Sequence, residues 1–255
     1  MASNANSTSL TAYLLSIEKA AYASATRSPF LAKSGAGTLT DSAVCEWLVQ
    51  DKYYQLGYVN FMGSLLSKID LSPLISPSPS HSNKETTRKD EDGRNLQRTT
   101  MNILIDALTA IRQEIDLYDQ VAEKYGLALE FAEMNGVTRE YVELFEEVGK
   151  GDKGLLQGLV VLWATEHCYL TAWTYASSQA KDNDGQSQLG ETGAVAALHR
   201  EFIPNWTSKE FAAFVDKLGK VTDAWAIGIE DEEREVCARL WKQVLELEAR
   251  FWPEV

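Results

Sequence analysis

The 255-residue sequence contains only three cysteines, Cys45, Cys168 and Cys237, and they lie far apart with no Cys-x-x-Cys pair. An odd, scattered set argues against a disulfide framework and against a structural zinc site. This cysteine usage is typical of a reducing compartment. We therefore expect an intracellular, cytoplasmic protein.

Long apolar runs and a surplus of positive charge are also missing. The most apolar stretch, Leu155 to Ala164, is interrupted by Gln157 and is too short to cross a bilayer. The first residues do not form a signal-peptide pattern. The 24 Lys and Arg residues against 37 Asp and Glu residues give a net charge of −13. Such a chain offers no cationic footprint for nucleic acid or anionic membranes, so we expect neither partner.

Histidine is scarce, and the motifs of many common enzymes are absent. The three histidines, His81, His167 and His199, form no Glu-x-x-His pair, and no GxGxxG, P-loop, HExxH or GxSxG motif occurs. Di-iron sites in helical bundles need Glu-x-x-His pairs. A helical haem enzyme of the haem oxygenase type needs a proximal histidine on its first helix, and no histidine precedes His81 here. We therefore expect no metal and no other cofactor.

Proline and glycine are infrequent, at 6 and 16 residues, and the segments between them show helical rather than alternating periodicity. Strand patterns and internal repeats are lacking. The periodicity predicts helices over about 8–26, 41–69, 96–125, 127–134, 138–149, 153–179 and 194–202. A further helix is predicted to begin at a capping box formed by Thr207 and Glu210, and a last helix runs over 231–251. The fold class is therefore all-α, a single domain over residues 1–255 formed by a bundle of seven to eight helices.

Two polar inserts interrupt the helical pattern, at about 73–95 and 181–192. The first is rich in proline, serine and charged residues and has few apolar side chains. Segments of this composition bury too little surface to offset their ordering entropy. We expect mobile loops within one domain rather than domain boundaries.

An acid lies within an aromatic stripe of the second long helix. Trp47, Asp51, Tyr54 and Tyr58 are spaced four, three and four residues apart and share one face. A carboxyl group buried there without a partner costs several kcal/mol. Two interpretations follow: Asp51 bonds a neighbouring helix within the core, or it holds a cationic or amine-bearing ring against an aromatic pocket wall.

The central helix carries Glu166 in a nearly all-apolar sequence, with Tyr169 one turn away. Burial raises the pKa of such a glutamate, which makes it a candidate general acid or base, although a structural carboxyl group fits equally well. Cys168 fits a small packed side chain. In the last helix Glu246 and Glu248 cannot both face the core, and composition does not choose between them.

Four segments occur in an order that resembles the TenA family, the thiaminase II-like proteins of the haem oxygenase-like fold. They are SPFLAKSGAGTL from Ser28, WLVQDKYYQLGY from Trp47, IPNWTSKEFAAFV from Ile203, and ELEARFW near the end. The family typically has a Pro-Phe entry, a Gly-x-Gly-Thr-Leu turn, a Gln-Asp-x-x-Tyr helix, a Ser-x-Glu-Phe helix start and a closing Glu-x-x-Phe-Trp. Each segment is short, but the ordered set covers nearly the whole chain.

The resemblance implies roles for particular residues. Asp51 would hold the exocyclic amine and a ring nitrogen of an aminopyrimidine. The glutamate of the closing motif maps to Glu248, an acid or base. Trp206 occupies the position of a family tyrosine. The other substrate-binding positions implied are Trp47, Tyr54, Tyr141 and Tyr169.

Better-known family members carry a nucleophilic cysteine on the central helix. Here Glu166 maps to that position, which resembles a Glu-type variant of plants and other eukaryotes. A register shifted by two residues would instead place Cys168 there, as in a Cys-dependent thiaminase II. Cys168 lies roughly 200° around the helix from Glu166, so the two side chains cannot face one pocket.

The Glu-type resemblance implies a metal-independent hydrolase with Glu166 and Glu248 as catalytic residues. Its substrate would be an aminomethylpyrimidine or the N-formyl derivative, in salvage of the pyrimidine part of thiamin. Family members usually form homo-dimers or homo-tetramers, and we expect the same here. The alternative is a protein of the same fold that binds a small aromatic ligand without catalysis.

Overall fold

Helices account for the regular secondary structure in the computed structural model, which describes residues 8–75, 84–129, 132–180 and 190–255. The helices are α1 Leu10–Ser16, α2 Lys19–Thr26, α3 Pro29–Ala36, α4 Asp41–Ser67, α5 Ser72–Ile75, α6 Lys84–Tyr125, α7 Gly136–Lys150, α8 Leu155–Ser178, α9 Ala194–Ala197, α10 Ile203–Trp206, α11 Lys209–Trp225 and α12 Asp231–Phe251. A π-helical turn, Leu198–Phe202, joins α9 to α10. The all-α prediction is confirmed.

The predicted number of helices was too low. Nine helices of seven or more residues occur in the described part of the chain, rather than seven or eight. The predicted helix over 8–26 is two helices, because Glu18 adopts a left-handed backbone with φ of 52°. The segment after Ser28, which the periodicity left unassigned, forms α3.

Three predicted boundaries were also wrong. Residues 84–95, predicted as part of a mobile loop, form the first turns of α6, since lengthening a helix that is already nucleated is inexpensive. Residues 73–75 of the first predicted insert belong to α5, whereas residues 76–83 and 181–189 of the two inserts lie outside the described residues. Residues 127–129 and 132–134 are not helical, because Gly126 ends α6 with a left-handed φ of 67°. Ser208 rather than Thr207 caps α11, accepting from the amide of Phe211.

The SPFLAKSGAGTL segment encodes a complete helix with both ends. The Ser28 hydroxyl accepts from the amide of Leu31, and Pro29 occupies the first helical position. Gly37 ends α3 with φ of 66°, a left-handed conformation that suits glycine. Thr40 then caps α4 by accepting from the amide of Ala43. These local signals fix how the chain enters the helix that carries Asp51.

Helix α8 lies at the centre of the bundle, as its all-round hydrophobicity predicts. It packs against α2, α3, α11 and α12, while α4 packs against α6 and α7. The side chains from Leu155 to Thr165 are buried. In the described part of the chain, no helix has both the length and the hydrophobicity that a bilayer crossing needs. The arrangement brings polar side chains of α4, α6 and α8 to one region.

Candidate functional site

A cavity of about 710 Å³ lies among α4, α6, α8, α10 and α11. Its volume falls within the range of small-molecule sites, about 300–1,000 Å³. Asp51, Gln55 and Trp206 line its buried part, whereas Asp106 and Lys217 are exposed at its rim. The cavity therefore leads from solvent to a polar, aromatic interior.

The predicted site residues divide into two layers. Asp51, Tyr54, Glu166, Tyr169 and Trp206 line the cavity. The other three do not line it: Trp47, Tyr141 and Glu248. The structure thus brings five of the eight positions to the cavity wall and places the other three behind it.

Trp47 belongs to an aromatic layer that supports the cavity wall. It is buried, and its ring centroid lies 5.7 Å from that of Trp206 and 5.3 Å from that of Trp173. Trp173 and Trp206 are themselves 4.5 Å apart. Trp206 is therefore held from behind by other indole rings.

Asp51 is buried and bonded by two neutral donors. The Tyr118 hydroxyl donates to Asp51 Oδ2, and Gln55 Nε2 donates to the same oxygen at 3.3 Å. Burial, reinforced by the nearby charge of Glu114, raises the pKa of Asp51 to about 8. The bond to a neighbouring helix that the first interpretation requires is present. Asp51 also lines the cavity, the position that the second interpretation requires.

Glu166 lies on the cavity wall from α8. Tyr58 Oη donates to Glu166 Oε1 at 2.5 Å, and the side chain is partly buried. Desolvation raises the pKa of Glu166 to about 7, although the Tyr58 hydrogen bond acts in the opposite direction. A carboxyl group that titrates near neutrality can both accept and return a proton.

Glu248 lies one layer behind the cavity. It is 2% exposed, and Tyr141 Oη donates to its Oε1 at 2.5 Å, while Oε2 has no hydrogen-bond partner in the described structure. Burial raises the pKa of Glu248 to about 8, helped by the charges of Asp51 and Glu166. Tyr54 lines the wall, and its ring centroid is 5.1 Å from that of Tyr141, the residue that donates to Glu248.

The last helix resolves the choice between its two glutamates. Glu246 is exposed and lies 3.9 Å from Lys242 as an i,i+4 ion pair, whereas Glu248 is buried. Residues two apart on a helix point to different sides. Helix α12 packs on α8, so only the Glu248 side faces the interior.

Sequence reasoning missed Glu114, a partly buried acid on the cavity wall beside Asp51 and Glu166. Trp206 Nε1 donates to Glu114 Oε1 at 2.6 Å, and burial raises the pKa of Glu114 to about 7. In the sequence it resembles one of many solvated charges on α6. Its spacing could have indicated that it faces inward, because Ile111 and Leu117 lie one helical turn before and after it, on the same apolar face of the helix.

The four acids share one pattern of bonding. Each accepts a hydrogen bond from an aromatic donor, in the pairs Asp51–Tyr118, Glu114–Trp206, Glu166–Tyr58 and Glu248–Tyr141. None of them forms an ion pair with Lys or Arg in the described residues. Phenol and indole donors stabilise a carboxylate less than a cation does, so burial prevails and every pKa is raised. Such perturbed groups, gathered at a cavity, are typical of functional sites.

The positions of the potential metal ligands and of Cys168 bear on metal binding and on a cysteine nucleophile. Among the residues that the structure describes, no group of three or more His, Cys, Asp or Glu side chains is placed to hold a metal ion. Cys168 is fully buried and does not line the cavity. Burial and the charge of Glu248 raise its pKa well above the usual value, which favours the unreactive thiol over the thiolate.

Comparison with known proteins identifies the family. Residues 87–255, which are 169 of the 255, match the model of the TENA/THI-4/PQQC family. The chain belongs to this family. The family resemblance inferred from the four ordered segments is thereby confirmed, whereas the Glu-type variant remains a proposal.

Relatives and solved structures extend the comparison. A "probable transcription factor" of Fusarium pseudograminearum (strain CS3096) is 25% identical over 96% of this chain, which spans only 52% of that relative. A "probable bifunctional TENA-E protein" of Glycine max is 20% identical, over 91% of this chain and 86% of its own. A TenA homologue from Pyrococcus furiosus, 20% identical, superposes with a TM-score of 0.74 over 95% of this chain and 98% of its own. These likenesses establish a TenA-like fold.

The raised carboxyl pKa values predict that thermal stability falls as pH increases from 5 to 8.5. The folded chain holds protons on Asp51, Glu166 and Glu248 up to pH 7–8, whereas the unfolded chain loses them near pH 4. Their contribution is complete below the unfolded pKa and is lost as pH rises through the folded one. Thermal unfolding followed by circular dichroism at several pH values measures the slope.

Asp51→Asn provides the direct check of this pH dependence. It keeps a side chain that accepts from Tyr118 but removes one titrating group, so Tm should fall less steeply with pH than in the wild type. Asp92→Asn removes the same charge from an exposed position on α6 and should leave the slope unchanged. A wild-type Tm that rises across this window would contradict the assignment.

Proposed function

We propose that this chain is a metal-independent hydrolase that cleaves a C–N bond of an aminomethylpyrimidine or of its N-formyl amide, in salvage of the pyrimidine part of thiamin. The observation that carries the proposal is Glu166, a carboxyl group with a pKa near neutrality on the wall of an aromatic cavity that also holds Asp51. Membership of the TENA/THI-4/PQQC family supports the substrate class.

Ring binding is the first step of the proposal. Asp51 carries a carboxyl group with a raised pKa in the buried part of the cavity, where it can exchange hydrogen bonds with the exocyclic amine and a ring nitrogen. Tyr54, Tyr169 and Trp206 supply flat apolar surface; the centroids of the last two lie 5.3 Å apart. A ring fixed in this way presents its aminomethyl carbon in one orientation, which lowers the entropic cost of reaction.

Glu166 acts on water in the second step. Its carboxylate takes one proton from the water molecule, whose oxygen forms a new bond to carbon. With the free amine, the C–N bond breaks at the bridging carbon, the electron pair leaves with nitrogen, and the products are the hydroxymethylpyrimidine and ammonia. With the N-formyl amide, water attacks the formyl carbon and the products are formate and the free amine. Tyr58 holds the carboxyl group in place throughout.

Glu248 acts from behind the wall in this scheme. The charges of Glu166 and Glu248 oppose each other, so ionisation of one favours protonation of the other. This coupling helps Glu166 to return its proton to the departing nitrogen. Glu248 is therefore a positioning residue whose effect reaches the substrate through Glu166 and Tyr54.

Incubation of the purified protein with the aminomethylpyrimidine and, separately, with its N-formyl amide tests the proposal. Chromatography should detect the hydroxymethylpyrimidine and ammonia, or formate and the free amine. Ligand binding without product from either compound, by protein with a normal circular dichroism spectrum, would contradict hydrolysis. That outcome would favour the alternative of a non-catalytic binding protein.

A further inference from the structure

Glu114 is a carboxyl group on the cavity wall that the proposed hydrolysis does not yet use. It lies on α6, is partly buried, and accepts a hydrogen bond from Trp206 Nε1 at 2.6 Å. No Lys or Arg of the described chain pairs with it. Its charge contributes to the raised pKa values of both Asp51 and Glu166. Glu114 therefore lies within electrostatic reach of the acid that holds the ring and the acid that activates water.

The charge balance of the cavity favours a cationic ligand. Asp51, Glu114 and Glu166 face it from three different helices. Lys217 is the one cation among the lining residues that the structure describes; it is exposed at the rim and makes no ion pair with these acids. Opposite charge in a partly desolvated site favours the ionised form of a carboxyl group. A positively charged ligand would thus reduce the electrostatic repulsion among these three carboxyl groups, which no Lys or Arg side chain of the described residues offsets.

A second observation also indicates a ligand with N–H donors. Gln55 lines the cavity and is 2% exposed. Its Nε2 donates to Asp51, but its Oε1 has no hydrogen-bond partner in the described structure. Buried acceptors are nearly always satisfied in native proteins, so this oxygen is placed to accept from a bound molecule. Gln55 lies on α4, and the observation is independent of Glu114.

Resting on the hydrolysis proposed above, we infer that Glu114 determines substrate specificity: its carboxylate binds the protonated aminomethyl group and selects the cationic free amine over the neutral N-formyl amide. Both compounds carry the same ring, which Asp51 can hold. They differ at the side-chain nitrogen, which bears a positive charge in the amine and none in the amide. Binding to Glu114 also keeps that nitrogen protonated, so it leaves as neutral ammonia when the C–N bond breaks, and the proton that Glu166 took from water then passes to this ammonia.

Glu114→Gln separates charge from structure. The glutamine carbonyl can still accept from Trp206 Nε1, so the wall should keep its shape while the negative charge is lost. We expect kcat/KM for the free amine to fall about 10- to 100-fold, the usual consequence of losing a charged hydrogen bond, with kcat/KM for the N-formyl amide little changed. The measured quantity is the ratio of the two kcat/KM values.

Two further variants serve as controls. Glu123→Gln removes a charge from an exposed position of the same helix and should leave the ratio unchanged. Trp206→Phe removes the indole donor but keeps the Glu114 charge, so the preference for the amine should persist even if both activities fall. Equal losses for the two substrates in Glu114→Gln would overturn the inference.

Equilibrium binding keeps this inference distinct from the hydrolysis itself. Calorimetric titration of the wild type should give tighter binding of the cationic aminomethylpyrimidine than of the neutral hydroxymethylpyrimidine, and Glu114→Gln should remove most of that difference. This result would support the selection of a cationic ligand by Glu114 even if neither substrate is turned over. In that case only the proposed hydrolysis would be contradicted. A wild type that binds both compounds equally, or neither, overturns the inference whatever its activity.

Discussion

Replacing Glu166 by glutamine should lower turnover of the pyrimidine substrates by about 10³-fold, since a positioned general base contributes about 10²–10⁴ to a rate. Glutamine is nearly the same size and retains an oxygen that can accept from Tyr58 Oη. The loss would therefore report the missing proton acceptor rather than a collapsed wall. Steady-state kinetics should show the change mainly in kcat, with modest change in KM, because ring binding rests on Asp51.

Cys168→Ala is the matched control for this experiment. Cys168 is two residues along the same helix, fully buried, and absent from the cavity wall. Its loss should leave most of the activity, with a small loss of stability from the vacated volume. If Cys168→Ala abolishes turnover while Glu166→Gln retains it, the Cys-dependent mechanism is correct and the assignment of Glu166 is wrong.

The pH profile of the wild type gives an independent measure of the same group. The pKa of Glu166 is raised to about 7, mainly by burial, and its carboxylate is the form that accepts a proton from water. We therefore expect kcat for the neutral N-formyl amide to rise with pH through about 7. Exposed glutamates titrate near 4.3, so a profile that is flat from pH 5 to 9 would contradict a role for this buried carboxyl group.

Gly35→Ala should cause a large loss of stability, because α3 and α8 are in direct backbone contact at this glycine. A methyl group at this position would overlap the carbonyl oxygen of Ala176 and lie 2.6 Å from its carbonyl carbon. Both clashes involve the backbone of α8, which cannot rotate away as a side chain can. Overpacking of this kind costs about 3 kcal/mol, which corresponds to a fall of about 6–12 °C in Tm for a chain of this size.

Gly63→Ala, also a glycine-to-alanine substitution, should increase the stability of the protein rather than lower it. Gly63 is exposed within α4, and an added methyl group would meet nothing within 4 Å. Alanine restricts the unfolded chain and should stabilise the protein by about 0.5–1 kcal/mol. Calorimetry of both variants tests whether α3 and α8 are in backbone contact. Equal Tm values for Gly35→Ala and the wild type would show that they are not.

The local sequence was informative wherever short-range rules dominate. Ser28, Pro29, Gly37 and Thr40 specify the ends of two helices through contacts within a few residues. The limits of α12 at Asp231 and Phe251 also match the predicted ones. Predictions failed where a single backbone angle decided, at Glu18 and Gly126. At Glu18 a left-handed residue divides the helix predicted over 8–26. At Gly126 a left-handed residue follows the correctly predicted end of α6, and residues 127–129 do not form the further helix that was predicted there.

The candidate site was less accessible from the sequence, because its partners come from distant segments. Glu114 and Trp206 are 92 residues apart, and Tyr58 and Glu166 are 108 apart. Periodicity indicates that a side chain faces inward but not which neighbour it meets. For this reason the sequence could nominate Asp51 and Glu166 yet could not assign the aromatic donor that bonds each of them.

The sequence by itself determined an all-helical chain, a central apolar helix and acids placed among aromatic residues, because helix periodicity and capping act over a few residues. Only the tertiary structure decided that Glu248 is buried away from the cavity wall, that Cys168 does not line the cavity, and that Glu114 does. The physical reason is that burial and charge coupling depend on packing between helices. The raised pKa values on which the proposed chemistry rests exist only once that packing has removed water from the carboxyl groups.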